Sequence, residues 1–136
     1  SKYPGIQNYL DKIKEFAREN GYVETLMGRR RYVPDIHSSN FNIRSAAERI
    51  SINMPIQGTA ADIMKLAMIN VYNNLESSSL ESKILMQVHD ELVFEVPTQE
   101  LEPLKSIVVT EMPNAMDLDV DLKVETKQGP SWGDME

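Results

Sequence analysis

The sequence predicts an α+β fold, in which a small and mostly antiparallel sheet packs against long helices. Apolar residues recur at helical spacing over two long stretches, residues 4–20 and 43–75. Within residues 83–96, two short runs rich in β-branched and long apolar residues flank His89-Asp90, which is typical of a β-hairpin with a tight turn. A chain of 136 residues has the length of about one domain with a buried core.

The composition excludes several classes of protein. There is no cysteine, so disulfides and thiolate metal sites are excluded and an intracellular protein is favoured. No apolar run is long enough to span a bilayer, and we expect no membrane partner. The net charge of −7 argues against a generic nucleic-acid-binding surface. The charge is nevertheless uneven. Residues 1–50 hold nine Lys and Arg against six Asp and Glu, whereas residues 51–136 hold five Lys and Arg against fifteen Asp and Glu. The first part of the chain can therefore still face a polyanion.

The N-terminal segment is typical of a helix followed by two short strands. Helical spacing runs from about residue 4 to Asn20-Gly21, a good stop signal. Residues 22–26 and 29–33 then flank Met27-Gly28, which predicts two strands around a glycine turn. Three arginines, Arg29, Arg30 and Arg31, stand near that turn. They are either a solvated strand edge or contacts for phosphate.

The middle of the chain predicts a loop and then two helical segments. Residues 34–42 have turn composition, and helical spacing resumes at Ile43. Pro55 predicts a break or kink, because proline removes a backbone donor and disfavours helix at the residue before it. A second helix is expected from about residue 56 to 75, with a buried stripe formed by Ile63, Leu66, Ala67, Val71 and Leu75.

Three polar residues form a line along this helical region. Arg49, Asn53 and Gln57 are spaced four apart, so they share one side. All three are hydrogen-bond donors and none is acidic. A solvated helix face is the simpler interpretation. The apolar neighbours, among them Ile56 and Ala60, instead favour a polar partner docking on this line.

The predicted hairpin places an imidazole and two carboxylates at its tip. With His89-Asp90 as the turn, Val88 pairs with Glu91, Met86 with Val93 and Ile84 with Glu95. The opposite and largely apolar face, expected to be buried, then carries Leu85, Gln87, Leu92, Phe94 and Val96. The tip is either an ordinary acidic turn or a metal-binding carboxylate presented at the end of a sheet.

The C-terminal third predicts one more helix and one more strand. A helix is expected from about residue 99 to 112, with Pro103 in its first turn, where a missing N–H is harmless. Residues 119–125 alternate strictly between polar and apolar, which predicts a half-solvated strand. Residues 129–133 have the composition of a turn closed by the only tryptophan.

Four stretches carry a family resemblance when they are taken together. They are Gly21-Tyr-Val-Glu-Thr-Leu-Met-Gly-Arg-Arg-Arg31, Ala47-Glu-Arg49 with Asn53, Pro55-Ile-Gln-Gly-Thr-Ala-Ala-Asp62, and Gln87-Val-His-Asp-Glu-Leu-Val93. In this order and spacing they resemble the C-terminal end of bacterial family A DNA polymerases, the DNA polymerase I type. The resemblance extends from Tyr3 to Trp132. It implies that residues up to about 54 form the end of the fingers and that about 55–136 form most of the palm.

The resemblance also implies a site. Asp90 is similar to one of the two palm carboxylates that bind a pair of Mg²⁺ ions, Glu91 to an auxiliary carboxylate, and His89 to a residue beside the primer end. Arg49, Asn53 and Gln57 match positions that line the duplex, and Arg29 to Arg31 match positions near the template or fingers. The implied partners are primer–template DNA, a deoxynucleoside triphosphate and the remainder of the polymerase chain, in the bacterial cytoplasm at the nucleoid.

Parts of the family's site have no counterpart here. The other metal-binding aspartate and the nucleotide-binding helix lie upstream of Ser1 in the family, so we expect a fragment that is inactive alone. One alternative is a small Mg²⁺-dependent nuclease or phosphohydrolase built on Asp90 and Glu91, with Asp62 or Asp35 as a further ligand. Another is a non-catalytic acidic interaction module.

Overall fold

A computed structural model describes residues 3–135, and the chain divides into two compact units, Ser1–Asp62 and Ile63–Glu136. Helices and two small antiparallel sheets make it an α+β protein, as predicted. Each sheet has two strands. No helix within residues 3–135 is long and apolar enough to cross a membrane.

The first unit begins with helix α1 (Pro4–Asn20), which ends where the sequence predicts. Gly21 follows it with φ 75°, and its N–H donates to the carbonyl of Ala17 at 2.9 Å. This left-handed conformation is a common helix terminator that glycine adopts without strain. Strands β1 (Tyr22–Glu24) and β2 (Arg30–Tyr32) then pair antiparallel, so the predicted glycine-turn hairpin is confirmed.

A short 3₁₀ helix (Pro34–His37) leads from this hairpin towards helix α2 (Phe41–Ser77). The core of the first unit gathers apolar side chains from α1, β1, the 3₁₀ helix, the residue just before it and α2: Ala17, Val23, Val33, Ile36, Ala47 and Met54. Strand β1 thereby packs, through Val23, in one core with α1 and the first half of α2.

Helix α2 is continuous through Pro55, so the predicted break is wrong, while a kink within the continuous helix stays a prediction. Proline removes the single hydrogen bond that its N–H would make to Ser51 and costs about 3 kcal/mol inside a helix. Buried residues on both sides of the proline, from Ala47 to Val71, hold the helix against that cost. The helix also starts two residues earlier than predicted, because the side chain of Asn40 accepts a 2.9 Å hydrogen bond from the N–H of Asn42.

The second unit packs the end of α2 against a hairpin and a third helix. Strands β3 (Lys83–Val88) and β4 (Glu91–Glu95) are antiparallel, and helix α3 spans Leu101–Glu111. Pro103 is the third residue of α3, within the first turn as predicted. The core of this unit comprises Val71, Leu75, Leu104 and Val108, with half-buried Leu80, Ile84, Phe94, Val96, Ile107, Met112 and Val124 packed around it.

The hairpin follows the predicted register only near its turn. Val88 lies opposite Glu91 and Met86 opposite Val93, as predicted, but Ile84 lies opposite Phe94 and not Glu95. A β-bulge at Leu85 causes the shift, because a bulge places two residues of one strand against one of the other. Ile84 consequently packs on the core, while Leu85, expected to be buried, is 54% exposed.

The strand predicted at Asp119–Glu125 is wrong, since these residues lie in irregular backbone. A strand needs a neighbouring ladder, and among residues 3–135 the only strands are those of the two hairpins. The alternation of polar and apolar residues is still reflected in their burial. Leu122 and Val124 are half-buried, and Val124 packs on the core of the second unit.

Candidate active site

The tip of the β3–β4 hairpin presents His89, Asp90 and Glu91 side by side, and all three are exposed. His89 has φ 51°, the left-handed conformation that a tight hairpin turn requires and that non-glycine residues seldom adopt. The side-chain amide of Gln87 donates to the carbonyl of His89 at 2.8 Å. This bond holds the turn, a role that the predicted place of Gln87 on the apolar face did not indicate.

The open end of the same hairpin is held by Glu100, which sequence reasoning also missed. Its buried carboxylate accepts hydrogen bonds from the N–H groups of Glu81 and Ser82, at 3.0 and 2.9 Å, and from the Ser82 hydroxyl at 2.6 Å. The bond from the Glu81 backbone and then that from the Ser82 side chain keep the pKa of Glu100 below its ordinary value. The one sequence signal was an acidic residue just before a helix, which is too common to identify this contact.

The chemistry of the hairpin tip suits a hard divalent cation. Asp90 and Glu91 offer carboxylate oxygens, the ligands that Mg²⁺ prefers, on a strand end that is fixed at the turn and at the base. Within residues 3–135, no three His, Asp or Glu side chains are grouped so that they could hold a metal ion. The tip can therefore supply part of a metal site.

Helix α2 brings the three predicted donors together on one exposed line. Arg49, Asn53 and Gln57 are all exposed, whereas the residues buried in this half of the helix include Ala47 and Met54. At 3.6 residues per turn, Arg49 lies about 200° around the helix from Ala47. The donors thus face away from the core of the first unit. Their surroundings are partly apolar, since Ile56 is 61% exposed and Ala60 is also exposed.

The three predicted arginines have different surroundings. Arg29 donates from Nε to Oδ1 of Asp62 at 2.9 Å. Arg30 lies 3.3 Å from a carboxylate oxygen of Glu24, with its guanidinium 4.3 Å from the centre of the Tyr22 ring. Arg31 is exposed, and no ion pair in the described part of the chain includes it.

Two of the stretches singled out in the sequence contact each other here. The β1–β2 turn lies on α2, where the N–H of Leu26 donates to the hydroxyl of Thr59 at 3.0 Å and Nη2 of Arg29 donates to the carbonyl of Gly58 at 3.0 Å. A Cβ at position 58 would lie 2.6 Å from Cγ2 of Thr25, closer than side-chain carbons approach. A larger residue at this position would therefore force Thr25 or the helix backbone to shift.

Two further acidic residues, Asp62 and Asp35, were candidates for an additional metal ligand. Asp62 is buried in the first unit and paired with Arg29. Asp35 is exposed on the 3₁₀ helix. Neither belongs to a group of three potential metal ligands within residues 3–135.

Comparison with known proteins agrees with this architecture. The DNA polymerase family A model matches residues 1–134. The chain is 55% identical over 131 residues to a DNA polymerase I of Caldicellulosiruptor bescii and 50% identical over 132 residues to that of Bacillus subtilis. These matches cover 96% and 97% of the chain but 15% of each relative, so the chain spans about one-seventh of their length.

A solved structure is similar over most of the fold. It is the POL domain of Pol1 from M. smegmatis, in complex with DNA primer-template and dNTP, with a TM-score of 0.86 and 50% sequence identity. The match covers 89% of this chain and 21% of that one. The fold is thus that of part of a polymerase domain. With the family match over nearly its whole length, the chain belongs to DNA polymerase family A.

Proposed function

We propose that this chain is the C-terminal part of the polymerase domain of a DNA-directed DNA polymerase, which transfers deoxynucleotides to a primer 3′ end under the direction of a template. The observation that carries the proposal is the hairpin tip, where Asp90 and Glu91 stand exposed and adjacent on a turn fixed by Gln87. Membership of the family supports it. In this proposal residues to about 54 belong to the fingers and the rest to the palm.

The role proposed for the hairpin tip is to hold metal ions. Asp90, with Glu91 as an auxiliary ligand, contributes carboxylate oxygens to a two-Mg²⁺ site that other parts of the polymerase complete. When bound, Mg²⁺ lowers the pKa of the primer hydroxyl and neutralises charge on the leaving pyrophosphate. His89, beside them, is placed to contact the primer end. The hydrogen bonds at both ends of the hairpin hold the backbone that carries these side chains.

The role proposed for the α2 line is to contact the DNA duplex. The minor groove offers a hydrogen-bond acceptor on every base pair, so donors there can test for correct pairing without reading sequence. Arg49, Asn53 and Gln57 provide an uninterrupted line of donors on an exposed helix face. Exposed Ile56 beside them offers apolar contact area of the kind that a docked partner covers.

A contact with phosphate near the template is the role proposed for one arginine of the β1–β2 hairpin. Arg31 is the strongest candidate of the three, because it is exposed and outside the ion pairs seen in residues 3–135. Arg30 is held over Tyr22 and beside Glu24. A phosphate there would have to compete with a carboxylate.

The proposed partners are primer–template DNA, a deoxynucleoside triphosphate and the remainder of the polymerase chain, which together place the protein at the bacterial nucleoid. We further propose that residues 1–136 alone extend no primer, because the hairpin offers too few ligands for two metal ions.

One set of assays on one sample tests the proposal against the alternatives. The protein in its natural full length should extend a primer on a template with Mg²⁺, and the 136-residue chain should not. Nuclease activity of the 136-residue chain, abolished by Asp90→Asn, would favour the small phosphohydrolase. Absence of polymerase activity, nuclease activity and DNA binding from both samples would favour an acidic interaction module.

A further inference from the structure

The contact between the β1–β2 turn and α2 lies next to Gln57. Arg29 reaches two successive turns of the helix, donating to the carbonyl of Gly58 at 3.0 Å and to Asp62 at 2.9 Å. Gly58 is the residue directly after Gln57. A shift of this carbonyl would therefore move the backbone that carries the Gln57 side chain.

The turn is built to hold Arg29 in this place. The hydroxyl of Thr25 accepts the N–H of Arg29 at 3.2 Å, and Gly28 has φ 78°, which lets the chain reverse between them. The Leu26–Thr59 hydrogen bond adds a second link to the helix. Thr25, Thr59 and Asp62 are all buried, so the link is part of the interior of the first unit.

Pro55 lies about one turn before Gly58 on the same helix. The helical hydrogen bond from position 55 to Ser51 is missing, and a turn of helix that lacks a bond is easier to deform. On the other side of the proline, the hydroxyl of Tyr9 donates to the carbonyl of Ile52 at 3.0 Å. Side chains from outside the helix thus brace α2 both before and after Pro55.

We propose that Arg29 is a positioning residue, which through Gly58 and Asp62 fixes the backbone of α2 so that Gln57 is held in place for the DNA duplex. In this role its guanidinium binds the protein itself and makes no contact with phosphate. The inference rests on the proposed function of Gln57. It separates Arg29 from Arg31, to which the contact with phosphate is assigned.

The charges support this assignment. The side chain of Asp62 is 8% exposed and that of Arg29 is 49% exposed. A buried carboxylate favours a paired cation, so a phosphate that drew Arg29 away would have to compete with its ion pair to Asp62. The planar guanidinium donates to two acceptors in different directions, which a lysine ammonium on a flexible chain does not reproduce in a fixed geometry.

Hydrogen exchange of the 136-residue chain tests the structural half of the inference. In Arg29→Ala and Arg29→Lys, amides of residues 52–62 should exchange roughly 10-fold faster, as expected for loss of a local hydrogen-bonded brace. Amides of residues 66–75 should be unchanged, which distinguishes local loosening from global unfolding. Arg31→Ala is the matched control and should leave exchange at 52–62 unchanged. Unaltered exchange in both Arg29 variants would overturn the proposal.

Kinetics of the full-length protein test the functional half. Arg29→Ala and Arg29→Lys should both slow primer extension roughly 3- to 30-fold and should alter mismatch extension in the same direction as Gln57→Ala. The double variant Arg29→Ala with Gln57→Ala should extend a primer only a little more slowly than the slower of the two single variants. The dependence of DNA affinity on salt should keep its slope in both Arg29 variants, whereas Arg31→Ala should lower the slope by about 1.

The outcomes separate the two proposals. Rescue of extension by Arg29→Lys, with a slope lowered by about 1 in Arg29→Ala, would show a phosphate contact and overturn the positioning role. Full additivity of Arg29→Ala and Gln57→Ala would also overturn it. If the unaltered protein extended no primer, the proposed function would fail, and the exchange experiment would still decide whether Arg29 braces α2.

Discussion

Ser82 and Glu100 join the open end of the β3–β4 hairpin, with the Ser82 hydroxyl 2.6 Å and its N–H 2.9 Å from the same carboxylate oxygen, Oε2. The hairpin that carries Asp90 at its tip is therefore tied at its base by a buried carboxylate. The tie is electrostatic, because the hydrogen bonds favour the ionised form and lower the pKa of Glu100. The stability that this contact contributes should therefore depend on pH.

Glu100→Gln is expected to lower the melting temperature of the chain by several degrees at pH 7, because the amide accepts these hydrogen bonds less strongly. The pKa of Glu100 is lowered on folding, so the stability it contributes is present above the ordinary carboxyl pKa of about 4.3 and is lost as the pH falls through the lowered value. The difference in melting temperature between the unaltered chain and Glu100→Gln should therefore shrink as the pH is lowered from 7 to 3. Glu95→Gln, at an exposed carboxylate on β4, is the control and should have little effect. Curves that stayed equally far apart at pH 3 would refute the charge explanation.

Gly58→Ala is expected to destabilise the first unit although alanine favours helix. The new Cβ would lie 2.6 Å from Cγ2 of Thr25, and overpacking of this kind costs about 1–3 kcal/mol. The helix propensity of alanine offsets up to about 1 kcal/mol of that. Thr25→Ser removes Cγ2 but keeps the hydroxyl that binds Arg29, so the double variant should recover most of the loss. Urea unfolding of the four proteins measures this, and no recovery in the double variant would show that the close contact is not the cause.

Mg²⁺ should bind the 136-residue chain weakly, with a dissociation constant on the order of 1 mM or higher. One hairpin tip offers few oxygens, and Mg²⁺ keeps its waters unless a substrate phosphate helps to hold it. Calorimetry of the chain and of Asp90→Asn measures the affinity. A micromolar site that Asp90→Asn removed would contradict this expectation and revive the nuclease alternative.

Gln57→Ala and Arg49→Ala in the full-length protein are expected to slow extension and to change discrimination between matched and mismatched primer ends. Each removes a donor from the exposed line on α2, and an unpaired buried partner costs roughly 1–3 kcal/mol. The two should be non-additive if they share one contact network with the duplex. Single-turnover incorporation on both kinds of primer end measures this. If both variants behaved like the wild-type protein on both kinds of primer end, the proposal that these residues contact the duplex would be wrong.

The sequence predicted the elements that depend on local pattern. Helix α1 with its glycine stop, both hairpins and the turn at His89-Asp90 follow from spacing and turn residues close together in the chain. The bulge at Leu85 and the absence of a strand at residues 119–125 did not follow, because both depend on which neighbours a segment packs against.

The candidate site also combines features that a local sequence pattern predicts with features that depend on distant residues. Exposed carboxylates at a hairpin tip and a line of donors four apart are visible as sequence patterns, and the structure presents both as exposed groups. The pairing of Arg29 with Asp62 joins residues 33 apart, and that of Ser82 with Glu100 joins residues 18 apart. No local rule selects such partners from the many acids and donors in the chain, so the contacts that support the candidate site residues are visible only in the fold.

Asp90→Asn in the full-length protein gives the most direct test of the central claim, that the β3–β4 tip holds the catalytic metal ions. The amide keeps the shape of the turn but loses the charge that attracts Mg²⁺, so the loss should fall on the chemical step. Glu95→Gln, at the far end of the same strand, is the matched control for loss of an exposed carboxylate. Single-turnover incorporation should be nearly abolished in Asp90→Asn and unchanged in Glu95→Gln, with primer–template affinity close to normal in both. Near-normal incorporation by Asp90→Asn would contradict the claim.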